Sequence, residues 1–452
     1  MKRKFYTSMC LIFALSLGLY AQEQRVVEPG NNLIEAIANA PDGAVVIIKP
    51  GKHKANFNTE TQENANILID NKSITIKGES PANKPVVYIR AIDVSGAVAS
   101  LTIENLEFSG LPVNAETMEE DPAAEGEDLV GSYLVNLTTD LTTLGNLTIK
   151  NCVVRNLHRA VIRGDRAEHD VTQINVEGCI IYDIRNGSNY GVFRLQSNLK
   201  LNTFNLKNST IYNVQVGIIQ SENTVADFPK TVTVENCTFY NIGGGTNDRY
   251  QFDFKSATSL NFTMRHNILG KTNDIGLEAD FNILGWRFNY TGTTATRMIA
   301  NNIAPDFQVL SNSEVFQGGF GDITWSQSQF NLAINPEFAN PAAGDFTLPM
   351  GSDLLEASLE GEIIGDPRWN PDKTNVTSLK KNNLLAIYPN PASGKVTIEM
   401  EKPGTVTVYA ITGVKVHEYQ LSNNRNVIDI SVLKPGMYML INDKSVAKLI
   451  VR

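Results

Sequence analysis

A phrase of eight residues recurs six times in this chain and constrains its fold more than any other feature. Each copy alternates apolar and polar residues, turns at its fifth residue, and then alternates again. The fifth residues are separated by intervals of 46, 27, 30, 28 and 30 residues, and they are Asn105, Asn151, Gly178, Asn208, Asn236 and His266. Strands of period two that recur at such intervals stack coil on coil. The sequence therefore predicts an all-β chain whose main body is a right-handed parallel β-helix.

The amino-terminal residues have the order of a secretory signal peptide. Lys2, Arg3 and Lys4 precede an apolar run that ends at Tyr20, and the small residue Ala21 follows. This charged, apolar and small order predicts a signal peptide over residues 1–21, with cleavage after Ala21. The apolar run is too short to span a bilayer, and no later stretch is longer, so we expect no transmembrane segment.

A short helical pattern precedes the first strand of the predicted solenoid. Residues 32–40 place Leu33, Ile34 and Ile37 on one face, and Pro41 and Gly43 then open a run of β-branched residues. The open end of a β-helix needs a cover for its unpaired backbone groups. We therefore predict an N-terminal capping helix and a β-helix domain over residues 22–370.

Charge and cysteine content exclude several classes of function. Removal of the signal peptide leaves 36 basic and 48 acidic residues, so the mature charge is 36 − 48 = −12 and nucleic acid is not an expected partner. Cys152, Cys179 and Cys237 each follow a turn residue by one place. Three thiols in one inward column indicate small buried residues, not a disulfide frame or a zinc site. We expect a monomer.

One interval is longer than the others and contains an acidic run at residues 114–128. Its spaced carboxylates make calcium the one ion that this chain could hold, although they lack an alternating ligand pattern with a glycine turn. A solvated flexible loop is the favoured interpretation. No cofactor is otherwise expected.

The last part of the chain reads as a separate domain. Residues 371–384 form a polar linker, and residues 385–452 contain short alternating strands separated by Pro and Gly turns, which predicts a small Ig-like β-sandwich. Its motifs begin at Tyr388-Pro-Asn-Pro-Ala-Ser-Gly and end at Lys448-Leu-Ile-Val-Arg. They resemble a type A C-terminal sorting domain of the Bacteroidetes type IX secretion system. That resemblance implies contact with the secretion machinery, export across the outer membrane, and a secreted or surface-attached protein.

The β-helix also resembles known proteins, although mostly in architecture. The segments Asp42-Gly-Ala-Val-Val-Ile-Ile-Lys-Pro-Gly and Ile74-Thr-Ile-Lys-Gly-Glu are similar to Bacteroidetes β-helix domains of unknown function. More distantly they resemble the pectin-lyase-like group that contains chondroitinase B and alginate lyases. In that group a lysine acts with an arginine that is followed by His-Gly. Here Lys255 precedes Arg265-His266-Asn267, so the spacing is short and the glycine is absent.

A second strand in each coil supplies the candidate site. Alignment of these strands puts the polar residues Arg163, Arg194, Gln220 and Lys255 in one column, and a second column two residues further on contains Asp165, Gln196 and Glu222. We interpret the first column as an outward cationic row along a shallow groove, which suits the carboxylates of an acidic, uronate-containing polysaccharide. Carboxylates beside such a row are also typical of an ordinary surface ladder, and this alternative stays open.

If the protein is a polysaccharide lyase, the candidate catalytic residues are Lys255, Arg194 and Arg163. The arginines would neutralise the uronate carboxylate, and Lys255 would take the proton during β-elimination. Candidate substrate-binding residues are Gln220, Glu222, Asp165, Arg265 and the aromatic Tyr250. Because the fold hosts many functions, an enzyme, a carbohydrate-binding scaffold and an adhesin all remain open on sequence alone.

Overall fold

The computed structural model describes most of the chain, with gaps at its irregular loops. The described residues are 22–55, 57–58, 63–114, 116–125, 128–184, 191–196, 198–215, 217–221, 228–243, 251–254, 259–271, 286–288, 297–305, 330–331, 333–371, 386–400, 403–410, 415–442 and 445–452. The chain divides into two compact units. One consists of Met1–Pro336 and Glu356–Asp366, and the other of Glu337–Leu355 and Pro367–Arg452.

The first unit is a parallel β-helix with three faces, and its strands pair in parallel from coil to coil. Faces 1 and 2 belong to one 16-stranded sheet, and face 3 is a separate 10-stranded sheet. Two long strands, Ile92–Glu104 and Tyr133–Lys150, run from face 1 into face 2 without a turn. The predicted all-β architecture is confirmed.

The shorter strands of the two sheets repeat once in each coil. Those of face 1 are Ile67–Asp70, Ala160–Arg163, Phe193–Arg194, Ile219–Gln220, Phe252–Phe254 and Trp286–Phe288. Those of face 2 are Gln24–Val27, Ala44–Ile48, Ile74–Gly78, His169–Glu177, Leu199–Lys207, Thr231–Glu235, Asn261–Arg265 and Arg297–Ala300. Those of face 3 are Lys52–Ala55, Val86–Ile89, Glu107–Ser109, Val153–Arg155, Ile180–Ile184, Thr210–Val214, Thr238–Ile242, Ile268–Leu269, Asn302–Ile303 and Phe330–Asn331.

The turn from face 2 to face 3 explains the asparagines of the repeated phrase. Asn105, Asn151, Asn208 and Asn236 have φ angles between 51° and 58°, in the left-handed region that asparagine tolerates better than most side chains. Each donates its backbone N–H to the next coil, as Asn151 does to the carbonyl of Glu177 at 2.9 Å. The repeat therefore specifies both the turn and the stacking.

The cysteine column lies inside the solenoid, as its position after the turn predicts. Cys152, Cys179 and Cys237 are at most 1% exposed, and none of these three residues is part of a disulfide. Their thiols donate to backbone carbonyls of the same turn, at 3.3 Å for Cys152 and 3.2 Å for Cys237. Burial raises the pKa of the Cys152 thiol well above its usual value, so the column is chemically inert.

The N-terminal end of the solenoid is covered by the predicted helix, which spans Leu33–Ala38. The Asn32 side chain accepts the N–H of Glu35 at 3.2 Å and so caps the helix start. Leu33 and Ile37 are buried against the first coil. The ammonium group of Lys72 donates to three carbonyls at the helix end, at 2.7 to 3.0 Å.

The acidic run packs back onto face 3 in the part that the structure describes. The Arg155 guanidinium lies 2.7 Å from a carboxylate oxygen of Glu107 and 2.5 Å from one of Glu120. Lys52 donates to the carbonyl of Met118 at 2.6 Å. The two short strands Phe57–Asn58 and Glu63–Asn64 form a separate antiparallel pair.

Within its described residues, the second unit contains three 3₁₀ turns and an antiparallel β-sandwich. The turns are Pro341–Ala343, Asp353–Leu355 and Pro367–Trp369. One sheet of the sandwich contains the strands Ala386–Tyr388, Lys395–Glu399 and Arg425–Asp429, and the other contains Lys415–Leu421, Gly404–Ala410, Gly436–Asn442 and Ser445–Val451. Val396, Val408 and Leu440 are part of a core that both sheets share. Among the described residues, none of the helices has the length and apolar composition needed to cross a membrane.

Candidate functional site

Face 1 carries a column of polar residues that crosses seven coils, from Asp93 to Arg287. Arg163 pairs in register with Arg194, and Arg194 with Gln220, as the sequence alignment predicts. The column continues upstream to Asn136, which faces Arg163, and to Asp93, which faces Asn136. Adjacent strands are about 4.8 Å apart, so residues on neighbouring rungs lie side by side. The upstream pair was missed because the coils before the regular repeat have no constant spacing.

The downstream end of the column differs from the alignment by two residues. Gln220 pairs with Asp253, not with Lys255. A shift of two keeps every inward residue inward, because strand side chains alternate with period two. The sequence alignment pairs Ile219 with Phe254, whereas in the structure Ile219 pairs with Phe252. The alternation of the sequence could not distinguish these registers. The rung after Gln220 is therefore the acidic Asp253 in place of Lys255, and Arg287 pairs with Asp253 on the next coil.

The two arginines of the column share one carboxylate. Asp165 lies two residues beyond Arg163, and its Oδ1 is 2.6 Å from Nε of Arg163. Its Oδ2 is 2.5 Å from Nε of Arg194, on the next coil. Each carboxylate oxygen therefore accepts a charge-assisted hydrogen bond from a different guanidinium. The cluster of Arg163, Asp165 and Arg194 has a net charge of +1 by formal charge, and we call it the arginine cluster.

The environment of Asp165 fixes its ionised state. Its side chain is only 7% exposed, and this burial alone would favour the protonated form. The hydrogen bond from Arg163 and the charge of Arg194 outweigh burial and hold the pKa of Asp165 below its usual value. A carboxylate of this kind is a poor general base, because it has little affinity for a proton and both of its oxygens are in use.

The two arginines differ in their access to solvent. The Arg163 side chain is 7% exposed, and its guanidinium carbon lies 4.9 Å from the centroid of the Tyr133 ring, within the range of a cation–π contact. The Arg194 side chain is 16% exposed. Arg163 is thus enclosed between a ring and a carboxylate, whereas Arg194 is the more accessible cation.

The predicted open cationic row is wrong for the described residues. Gln220 is 5% exposed and Asp253 is 2% exposed, so both are covered, although they alternate with the core residues Ile219 and Phe252. The Oε1 atom of Gln220 accepts the backbone N–H of Gly191 at 2.9 Å, which ties the chain entering the previous strand to face 1. Gln220 therefore holds the backbone in place. The column is a largely covered polar row with its positive charge at the centre.

At the upstream end, two amides satisfy the carboxylate of Asp93. Asn136 donates to one carboxylate oxygen at 2.7 Å and Asn66 to the other at 2.8 Å. Both carboxylate oxygens of Asp93 therefore accept hydrogen bonds from uncharged amides. From Asp93 to Arg287 the order along the column is acid, amide, two arginines, amide, acid and arginine, so uncharged amides flank the two central arginines.

Arg265 does not join this cluster. It lies on face 2, where its Nε is 2.6 Å from Glu235 and its Nη1 is 2.9 Å from Glu360. It ends a ladder of alternating charges that runs along seven coils and consists of Lys77, Glu104, Lys150, Glu177, Lys207, Glu235 and Arg265. The contacts of Arg265 tie Glu360 to this ladder and give no support to a role beside Arg194.

Three predicted site residues, Lys255, Glu222 and Tyr250, lie outside the described residues and remain predictions. Within the ranges that the structure does describe, no cluster of three or more His, Cys, Asp or Glu side chains could hold a metal ion. In the acidic run, Glu120 is engaged by Arg155, and this ion pair holds the pKa of Glu120 below its usual value despite burial.

Comparison with known families identifies two parts of the chain. Residues 386–452 match the family described as a secretion system C-terminal sorting domain. Residues 55–214 match a domain of unknown function, DUF4957, and this range includes the whole arginine cluster. No curated protein matches the chain.

Two solved structures of one lyase show a limited similarity to this chain. A mutant of the PL6 family alginate lyase AlyGC is 18% identical, with a TM-score of 0.41, and the parent AlyGC structure is 17% identical, with a TM-score of 0.38. Each alignment covers 63% of this chain and 40% of the lyase chain. The chain therefore aligns with less than half the length of these lyases.

Proposed function

Since this chain carries a secretion system C-terminal sorting domain and is secreted or displayed at the cell surface, we propose that its β-helix binds acidic, uronate-containing polysaccharide. The arginine cluster on face 1 is the proposed contact. The domain of unknown function contains that cluster, and the sorting domain directs the protein to export.

The observation that carries the proposal is the net positive charge of the arginine cluster. The chain has a formal net charge of −9, so an anionic polymer is repelled by most of its surface. At the centre of face 1, two guanidiniums share one carboxylate and are flanked by uncharged amides. Arginine is well suited to hold a uronate carboxylate because its planar fork matches the two carboxylate oxygens.

Binding is better supported than cleavage by the described residues. β-Elimination needs a base that takes the proton beside the neutralised carboxylate. Asp165 does not fit that role, because its pKa lies below the usual range and both of its oxygens accept hydrogen bonds from arginine. Cleavage therefore depends on Lys255. We propose cleavage by Lys255 as an addition to binding.

The test uses the full chain and a panel of uronate-containing polysaccharides. We expect salt-sensitive retention on at least one of them, with affinity reduced about tenfold or more in Arg194→Ala, since a charge-assisted hydrogen bond is lost. Arg425→Ala is the matched control, because Arg425 is an exposed arginine of the sandwich. Retention on none of the polysaccharides, or equal retention of Arg194→Ala and the parent, would refute the proposal and favour an adhesin that recognises protein.

Cleavage is measured in the same samples. Ultraviolet absorbance of an unsaturated uronate should rise if Lys255 acts as the base, and the rise should disappear in Lys255→Ala while retention persists. Retention without any rise in absorbance assigns the protein to binding alone.

A further inference from the structure

We propose that Arg163 and Asp165 are positioning residues, and that Arg194 is the member of the arginine cluster that contacts the polysaccharide. This inference rests on the proposed function and assigns a separate role to each of the three side chains. It also revises the simple expectation that two neighbouring arginines bind substrate in the same way.

Arg163 is placed to hold a neighbour, not a ligand. Its side chain is 7% exposed, and the Tyr133 ring covers its guanidinium at 4.9 Å. Its Nε is already directed at Asp165. With so little of its side chain exposed, this guanidinium offers a polysaccharide little surface, whereas Asp165 lies within hydrogen-bond distance of it.

Asp165 connects Arg163 to Arg194 on the next coil. One of its oxygens is held by Arg163 and the other accepts from Nε of Arg194. Because Arg163 stabilises the ionised form, Asp165 stays a strong acceptor for Arg194. The order of support is therefore Tyr133, Arg163, Asp165 and Arg194.

The contact with Asp165 should strengthen ligand binding by Arg194. A long side chain loses rotamer freedom when it binds a ligand, and this loss opposes binding. A guanidinium that is fixed beforehand by Asp165 loses less freedom on binding and presents its fork in one orientation. The Arg194 side chain is more than twice as exposed as that of Arg163, at 16% against 7%. It is thus the cation of this cluster that a polysaccharide carboxylate would meet first.

Asp165→Asn separates positioning from charge. The substitution removes a negative charge beside the proposed site, so electrostatics alone predicts tighter binding of an anion, by roughly a few-fold. Positioning predicts the opposite result, because an amide cannot accept from both arginines with both of its terminal atoms. We expect Asp165→Asn to bind about tenfold more weakly than the parent, which is the effect of losing one charge-assisted hydrogen bond.

Glu168→Gln is the matched control. Glu168 is 58% exposed, pairs with Lys200, and lies three residues beyond Asp165, so its substitution makes the same change in charge without touching the arginines. We expect unchanged or slightly tighter binding. Arginine Nε–H resonances give a second readout: those of Arg163 and Arg194 should be protected from solvent exchange in the parent and in Glu168→Gln, and the Arg194 resonance should lose protection in Asp165→Asn.

A second pair of variants guards against misfolding of Asp165→Asn and leaves the charge unchanged. Tyr133→Phe keeps the ring over Arg163 and should bind like the parent. Tyr133→Leu removes the ring and should weaken binding several-fold, since a cation–π contact is lost. Melting temperatures of all four variants identify any loss of fold.

The outcomes distinguish the inference from the proposed function. A parent protein that binds no acidic polysaccharide overturns both. Binding by the parent, together with tighter binding by Asp165→Asn and equal binding by the two Tyr133 variants, leaves the proposed function intact and overturns the positioning role. The positioning role is supported if Asp165→Asn and Tyr133→Leu bind more weakly than the parent while Glu168→Gln and Tyr133→Phe do not. It also requires that the Arg194 resonance lose its protection in Asp165→Asn.

Discussion

Three histidines of the β-helix are held neutral by burial. His53, His169 and His266 are at most 3% exposed, and burial lowers the pKa of each imidazole. For His169, the nearby charge of Asp165 opposes this effect but does not cancel it. Neither ring nitrogen of His169 has a hydrogen-bond partner, so a protonated ring there would be poorly compensated. At the residue scale, these imidazoles make the fold sensitive to mild acid.

The sign of the pH dependence follows from the lowered pKa values. In the unfolded chain these histidines take up protons near their ordinary pKa of 6.5, while in the folded chain they do so only at lower pH. Stability is therefore full above about pH 6.5 and falls as the pH drops below it. The carboxylates Asp165 and Glu235, whose pKa values are lowered, lose their contribution only in more acidic solution, below about pH 4.

His169→Leu isolates one of these residues. The free energy of unfolding should fall less steeply between pH 6.5 and 5 in the variant, by up to about 1.4 kcal/mol per pH unit. Leucine suits the site because the backbone partner of His169 on the next coil is Leu199. Chemical denaturation at a series of pH values measures the effect, and parallel curves for the parent and the variant would show that His169 does not contribute.

At the scale of elements, the strap Glu356–Asp366 lies against neighbouring coils of the β-helix, from that of Thr210 to that of Asn301. Its contacts are specific: Leu359 N–H donates to Nε2 of His266 at 3.3 Å, Gly365 N–H donates to the carbonyl of His266 at 2.8 Å, and Thr210 donates to Asp366 at 2.7 Å. His266 occupies the turn position that asparagine has in most other coils, so its larger ring provides an anchor for the strap.

Two glycines of the strap allow its packing to be tested. Gly365 has φ +90°, and a Cβ there would lie 2.8 Å from Cδ1 of Ile268 and 2.9 Å from Oγ1 of Thr238. Gly361 has φ +76°, but a Cβ there would have no other atom within 4 Å. Gly361→Ala should cost about 1 kcal/mol from backbone strain alone, and Gly365→Ala should cost about 2–4 kcal/mol, because overlap is added. Equal losses, measured by denaturation, would mean that the strap is not packed this closely.

The sequence predicted the elements whose residues repeat and failed where two arrangements give the same pattern. Asn105, Asn151 and the cysteine column follow directly from the repeat, because a left-handed turn and a small inward residue recur at fixed places. The register of Asp253 did not follow, since a shift of two preserves alternation. The burial of Arg163 could not be predicted, because Tyr133 comes from the preceding coil, whose spacing is irregular.

At the scale of the whole molecule, the β-helix and the sandwich have separate hydrophobic cores. The core of the β-helix includes residues from Val27 to Ala304, and that of the sandwich includes residues from Ala392 to Val451. Each core is built from strands that pair only within its own part of the chain. A domain with its own core can fold alone. Export by the sorting domain and binding by the β-helix should therefore be separable.

Removal of residues 372–452 tests this separation. A chain that ends at Pro371 lacks the sorting domain but keeps the strap and every described coil, so we expect its β-helix to melt within about 2 °C of the corresponding transition of the full chain, because the β-helix keeps its own hydrophobic core. In cells the shortened protein should no longer reach the surface or the medium, since the sorting domain is its address for export. Cell fractionation of both forms, produced in the same strain, measures export, and calorimetry measures melting. A large fall in the melting temperature would mean that the sandwich stabilises the β-helix, and surface display of the shortened form would place the export signal elsewhere in the chain.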